Sequence, residues 1–203
     1  MIMRVFIAMD VKDEGSIANM LKVQREFMSL GLNVKPVSKE QLHFTLLFLG
    51  EIDSSMLERV KERLSDMIFE PVNVVYRGVG AFPSIKHPRI IWVGVDPNTR
   101  SKLTDIAKEV EDRLKPLGFK SDKQFTPHIT ILRVKEGNNN RARSRASVGS
   151  SDALATTIDK HSTTYFGSDT LDEIKVKKSD LMREGPVYTD MFSINASSRL
   201  GSK

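Results

Sequence analysis

Apolar and polar positions along the chain follow two periods, and each change of period marks an element. Arg4 to Val11 is a short apolar run rich in valine, phenylalanine and isoleucine, which predicts a first strand. Residues 14–30 repeat apolar side chains at Ile17, Met20, Leu21, Phe27, Met28 and Leu30 and close on Gly31, the pattern of a helix with a glycine cap. Gln41 to Leu49 reads as a strand. Ser54 to Ile68 carries Leu57, Val60, Leu64 and Ile68 on one helical face, and Pro71 ends it. Val72–Tyr76 and Ile90–Val95 read as strands split by Gly78, Gly80, Pro83 and Pro88. A third helix spans 99–115, and Ile129–Val134 is another strand. Residues 137–164 break the pattern and predict a mobile loop, with a short helical turn near Leu154–Ile158. Strands return at Ile174–Val176 and Val187–Ile194, and a flexible tail follows from about residue 196. Strands mixed with helices, without strict alternation of the two, predict an α+β fold rather than a parallel doubly wound sheet.

One segment echoes another. Leu42-His43-Phe44-Thr45-Leu46-Leu47-Phe48-Leu49-Gly50-Glu51 aligns with Pro127-His128-Ile129-Thr130-Ile131-Leu132-Arg133-Val134-Lys135-Glu136, 85 residues further on. Each copy follows a strand–helix stretch. Two similar lobes related by an approximate twofold axis would bring the copies face to face, in a single bilobal domain over 1–203.

The echo contains a polar pair. On a strand, residues i and i+2 share a face, so His43 and Thr45 lie opposite Phe44, and His128 and Thr130 lie opposite Ile129. Two such pairs meeting across a cleft gather two imidazoles and two hydroxyls in one small volume. That arrangement suits a tetrahedral oxyanion: hydroxyls donate to phosphate oxygens, one imidazole accepts a proton, and the other gives one. Histidine serves both tasks because its ordinary pKa, about 6.5, lies near neutrality. Phosphodiester displacement in line needs the two on opposite sides of phosphorus. A third match, His161-Ser162-Thr163, lies in the polar stretch without apolar flanks and reads as a bystander.

Composition narrows the alternatives. The chain has 203 residues, 39% hydrophobic and 28% charged, enough for a proper core. Its longest apolar run is Val5 to Met9, far short of the roughly 20 residues of a membrane helix. Asp10 arrives too early for a signal-peptide apolar segment, and cysteine is absent, which removes disulfides, a thiolate nucleophile and cysteine-based zinc sites. The expectation is a cytoplasmic protein. The net charge is +5, but Arg141, Arg143, Arg145, Arg199 and Lys203 lie in acid-free stretches, and setting them aside leaves 26 basic against 26 acidic side chains. The basicity therefore sits in a loop and a tail and is weak evidence for nucleic acid. The loop arginines read first as a solvated stretch without a role, and otherwise as contacts to RNA backbone phosphates that read no bases. No Walker A, Rossmann-type glycine motif or HExxH is present.

The paired His-x-Thr motifs resemble those of the 2H phosphoesterases, and among these most closely the RNA 2′,3′-cyclic phosphodiesterases, also described as 2′-5′ RNA ligases. Supporting segments are Gly80-Ala81-Phe82-Pro83, Pro88 to Val95, Lys178-Ser179-Asp180-Leu181 and Gly185-Pro186-Val187-Tyr188. The resemblance covers about 1–135 and 166–194. It implies a bilobal α+β fold with antiparallel sheets lining a central cleft and helices outside. It implies His43 as proton donor, His128 as proton acceptor, and Thr45 and Thr130 as phosphate contacts. Arg133 is a further phosphate candidate, although plain alternation points it away from the His128 face unless a bulge intervenes. Phe48, Phe82 and Trp92 have apolar neighbours, as core residues do, and are also candidates for stacking a base. The implied substrate is RNA with a 2′,3′-cyclic phosphate end, tRNA fragments among them, opened by a monomer without cofactor, metal or membrane. Other readings are a phosphodiesterase for a small cyclic nucleotide and a non-catalytic module that binds RNA ends.

Overall fold

The computed structural model describes residues 2–135, 146–183 and 185–197. Its strands are β1 (Ile2–Asp10), β2 (Val34–Pro36), β3 (His43–Asp53), β4 (Val72–Pro83), β5 (Pro88–Val95), β6 (Ile129–Val134), β7 (Tyr165–Leu171), β8 (Glu173–Leu181) and β9 (Pro186–Asn195). The helices are α1 (Glu14–Met28), α2 (Ser54–Leu64), α3 (Pro97–Leu114) and α4 (Ala146–Lys160). Three helices begin at an aspartate whose carboxylate accepts a first-turn amide: Asp13 from Ser16, Asp53 from Met56 and Asp96 from Thr99.

All pairings among the described residues are antiparallel, in the order β7-β4-β5-β6-β3-β1-β8-β9, with β2 added beside β6. The fold is therefore α+β and two-lobed, with the lobe sheets joined where β3 meets β6. That order is symmetric about its middle, with strand–helix–strand units β1-α1-β3 and β5-α3-β6 on either side. Their helices cross over: α1 packs against β6 and β7, and α3 against β3 and β4. Each unit thus supports the histidine strand of the other. Phe44 and Ile129 are fully buried, and Phe44 stacks on Tyr76 with ring centroids 6.2 Å apart.

The structure corrects several expectations. The loop expected over 137–164 is helical from Ala146 to Lys160, because Leu154 and Ile158 bury a face against β4 and because Glu26 of α1 bonds both Lys160 and His161. The rest of that expectation, 137–145, lies outside the described residues, apart from the 161–164 turn. That turn is tied down by Gly78 N–H donating to Thr164 and Val79 N–H to His161. The tail expected from 196 is still anchored there, with Ala196 N–H on Asp172 and Ser197 N–H on Phe69, and residues 198–203 lie outside the description. β4 runs through Gly78 and Gly80 instead of stopping at Tyr76, since its partners β5 and β7 supply the pairing that glycine does not favour on its own.

Candidate active site

The centre of the site follows from one strand pairing. Phe44 of β3 lies opposite Ile129 of β6. Continuing that register one residue either way sets His43 across from Thr130 and Thr45 across from His128. The middle residues of both His-x-Thr motifs point into the core, and all four polar side chains share the opposite, half-buried face. The approximate twofold axis passes between Phe44 and Ile129.

Each imidazole is held in the same way. His43 Nδ1–H donates to the Gln41 carbonyl at 2.7 Å, and His128 Nδ1–H to the Thr126 carbonyl at 2.7 Å. A carbonyl can only accept, so this bond fixes the tautomer, and each neutral ring presents its unprotonated Nε2. The Thr45 hydroxyl lies 3.1 Å from His43 Nε2. Burial pushes the His43 pKa down to about 4, against the Gln41 carbonyl and the Asp10 charge, which favour the proton. Burial also lowers the His128 pKa, against the Thr126 carbonyl, and the Arg133 charge opposes protonation of both rings.

That influence of Arg133 has a structural cause. β6 is bulged against β5 between the pairs Ile91–Leu132 and Trp92–Thr130, leaving Ile131 as the extra residue. β3 is bulged against β1 between Ile7–Leu47 and Ala8–Thr45, leaving Leu46 as the extra residue. Both extra residues fall three positions after their histidine. A bulge resets the alternation, so Leu46 and Leu47, like Ile131 and Leu132, are both buried. The next residues, Phe48 and Arg133, emerge on the histidine face. In the β6 bulge, the buried Gln24 of α1 donates to the carbonyls of Ile131 at 2.8 Å and Val37 at 2.7 Å. Sequence reasoning passed over Gln24, which looks like any polar residue of an amphipathic helix.

Aromatic rings flank both histidines. Phe6 lies 5.2 Å and Tyr188 5.5 Å from the His43 ring, Tyr188 edge-on. Phe82 stands edge-on to His128 at 5.0 Å and Trp92 lies 6.4 Å away. The core expectation for Phe48, Phe82 and Trp92 is corrected: Phe48 is 72% exposed, and Phe82 and Trp92 are half-buried beside His128. Trp92 needs Gly80 opposite it, since a Cβ there would lie 2.3 Å from the indole. Nothing in the sequence marked Phe6 and Tyr188 as partners of His43, because they reach it from other strands. The Gly185-Pro186-Val187-Tyr188 segment has a local role as well: the Pro186 carbonyl accepts from Gln41 Nε2, and Gln41 in turn holds His43. His161 belongs to none of this; it is buried beside Glu26 and Thr164.

Fold and site together define a class: a two-lobed protein with one His-x-Thr strand from each lobe at its central seam. The family described as LigT like Phosphoesterase matches the chain twice, over residues 11–92 and 93–188, one match for each half. The chain belongs to this family. It is 39% identical over 189 residues to the RNA 2′,3′-cyclic phosphodiesterase of Archaeoglobus fulgidus, covering 93% of this chain and 98% of that protein. It is 34% identical over 191 residues to the protein of the same name from Methanothermobacter thermautotrophicus, covering 93% and 96%. Among solved structures, TT0787 of Thermus thermophilus superposes with a TM-score of 0.72 at 25% identity, covering 95% of this chain and 97% of that one. Escherichia coli LigT complexed with 3′-AMP shares the fold, with a TM-score of 0.70 at 18% identity over 98% and 100%. Among the described residues no helix is long and apolar enough to cross a membrane.

Proposed function

We propose that the chain hydrolyses 2′,3′-cyclic phosphate ends of RNA to 2′-phosphomonoesters by two-histidine acid–base catalysis, as the names of its relatives suggest. The observation that carries the reading is the Phe44–Ile129 pairing, which sets the two His-x-Thr motifs symmetrically about one point. The cyclic phosphate lies between them, with the Thr45 and Thr130 hydroxyls donating to its oxygens. His128 Nε2 takes a proton from the attacking water. His43 Nε2–H gives one to O3′ as the P–O3′ bond breaks. The proton on His43 arrives with the substrate, because a phosphate anion beside the ring favours imidazolium and offsets burial. Arg133, set on the histidine face by its bulge, adds positive charge where the phosphorane develops its negative charge.

With a 5′-hydroxyl end in place of water, the same step joins the two. His128 takes the hydroxyl proton, the 5′ oxygen bonds to phosphorus, the P–O3′ bond breaks with a proton from His43, and a 2′-5′ linkage remains. Two imidazoles suffice for both proton transfers, which supports a metal-independent reaction. Both motifs come from one chain, which supports a monomer, acting in the cytoplasm on RNA ends such as tRNA fragments. The test is turnover of a short RNA with a 2′,3′-cyclic end in EDTA. His43→Asn and His128→Asn should each lose about 10²–10⁴-fold in rate. A folded single variant at near wild-type rate would exclude the mechanism.

A further inference from the structure

Cations on the cleft side of the sheet fall into two groups. Lys175 and Lys177 are neutralised: the Lys177 ammonium lies 2.9 Å from Asp10 and 2.8 Å from Asp190, and that of Lys175 lies 3.2 Å and 2.9 Å from the same carboxylates. Lys35 and Arg133 are different. They sit directly opposite one another in the β2–β6 pairing. Val34 and Val134, the next pair along, pack on the core, so Lys35 and Arg133 leave from the other face. Neither makes an ion pair or side-chain hydrogen bond among the described residues. Like charges directly opposite on neighbouring strands repel.

Lys35 is also held in place. Its ammonium packs over Gly185, where a Cβ would lie 2.7 Å from Nζ. This half-buried amine sits against the turn before β9, three residues ahead of the Tyr188 that packs on His43. Two adjacent cations, one of them half-buried and neither matched by a carboxylate among the described residues, make a site for an anion beside the reacting centre.

We propose that Lys35, with Arg133, binds the internucleotide phosphodiester on the 5′ side of the reacting nucleotide. The inference rests on the reading of the site as a cyclic phosphodiesterase. Water attack assisted by His128 leaves the ribose on the His43 side, and that is where Gly185 holds the ammonium. Arg133 is three residues past Thr130, about 10 Å along a strand, so its long side chain bridges the reacting phosphate and the next one. The substrate class is then an RNA chain end rather than a free cyclic mononucleotide.

The experiment compares a dinucleotide ending in a 2′,3′-cyclic phosphate with the matching nucleoside 2′,3′-cyclic phosphate. It measures kcat/KM for each, and Kd for the corresponding 2′-phosphate products, in wild type and in Lys35→Gln. Wild type should prefer the dinucleotide. Lys35→Gln should cut that preference about tenfold through KM and Kd, and lower the salt slope of dinucleotide binding by about 1. A preference that survives in Lys35→Gln, or that wild type lacks, overturns the subsite. If wild type hydrolyses neither compound, yet Lys35→Gln still loses the binding preference, the subsite stands and the phosphodiesterase reading fails.

Discussion

Replacing His43 by asparagine isolates the energetic consequence of burying an imidazole in the cleft. The asparagine amide keeps the donor to the Gln41 carbonyl but does not titrate. In the wild type the folded pKa of about 4 lies below the ordinary value of 6.5. Between those values the unfolded chain binds more protons than the folded one, so stability rises with pH there. The contribution is fully present above pH 6.5 and is lost as pH falls from 6.5 towards 4. From pH 7.5 to 4.5 linkage with these two values removes about 2.5 kcal/mol, and solvent reaching the half-buried ring reduces this to about 2 kcal/mol. Urea unfolding of both proteins at the two pH values measures it. The wild type should lose about 2 kcal/mol more on acidification than His43→Asn, since every other titrating group is common to both. Parallel losses, within about 0.5 kcal/mol, would show that His43 is not depressed by burial. Phosphate binding should reverse the effect and raise the pKa of the ring, which the imidazole proton shifts would report.

Three further outcomes follow from the geometry. Thr45→Val and Thr130→Val should each cost about 2.7–4 kcal/mol of transition-state stabilisation, read from kcat/KM, with little change in melting temperature, if their hydroxyls hold the oxyanion; unfolded variants with an active remainder would make them structural. Gln24→Met leaves the buried Ile131 and Val37 carbonyls one donor short, so unfolding stability should fall by about 1–3 kcal/mol. If that bond also aims Arg133, the catalytic losses of Gln24→Met and Arg133→Ala should be less than additive in a double-mutant cycle, whereas full additivity would confine Gln24 to folding. The rate on a cyclic-phosphate RNA should follow a bell-shaped pH profile, and a profile with a single limb would remove one of the two histidines from proton transfer.

Much of this architecture could be read locally. Alternation on a strand needs only the residues of that strand, so the shared face of His43 and Thr45, and of His128 and Thr130, was legible at once. So were helices α1, α2 and α3, because the spacing of their apolar positions lies within each segment itself. The echo between the two motifs predicted the paired lobes, since a repeated sequence makes a repeated unit. What sequence could not supply lies between strands. A bulge is a mismatch in length between two paired strands, invisible in either alone, and two equivalent bulges decide that Phe48 and Arg133 face the histidines. Phe82 and Trp92 look like core residues until β4 and β5 close beside His128. The α4 helix carries too few apolar residues to declare itself, and it exists because Leu154 and Ile158 find β4 and because Glu26 waits for Lys160 and His161 from more than 130 residues away. Residue chemistry and period were set by the chain; which face each late residue takes, and which charges go unmatched, were settled only when distant strands fixed their register.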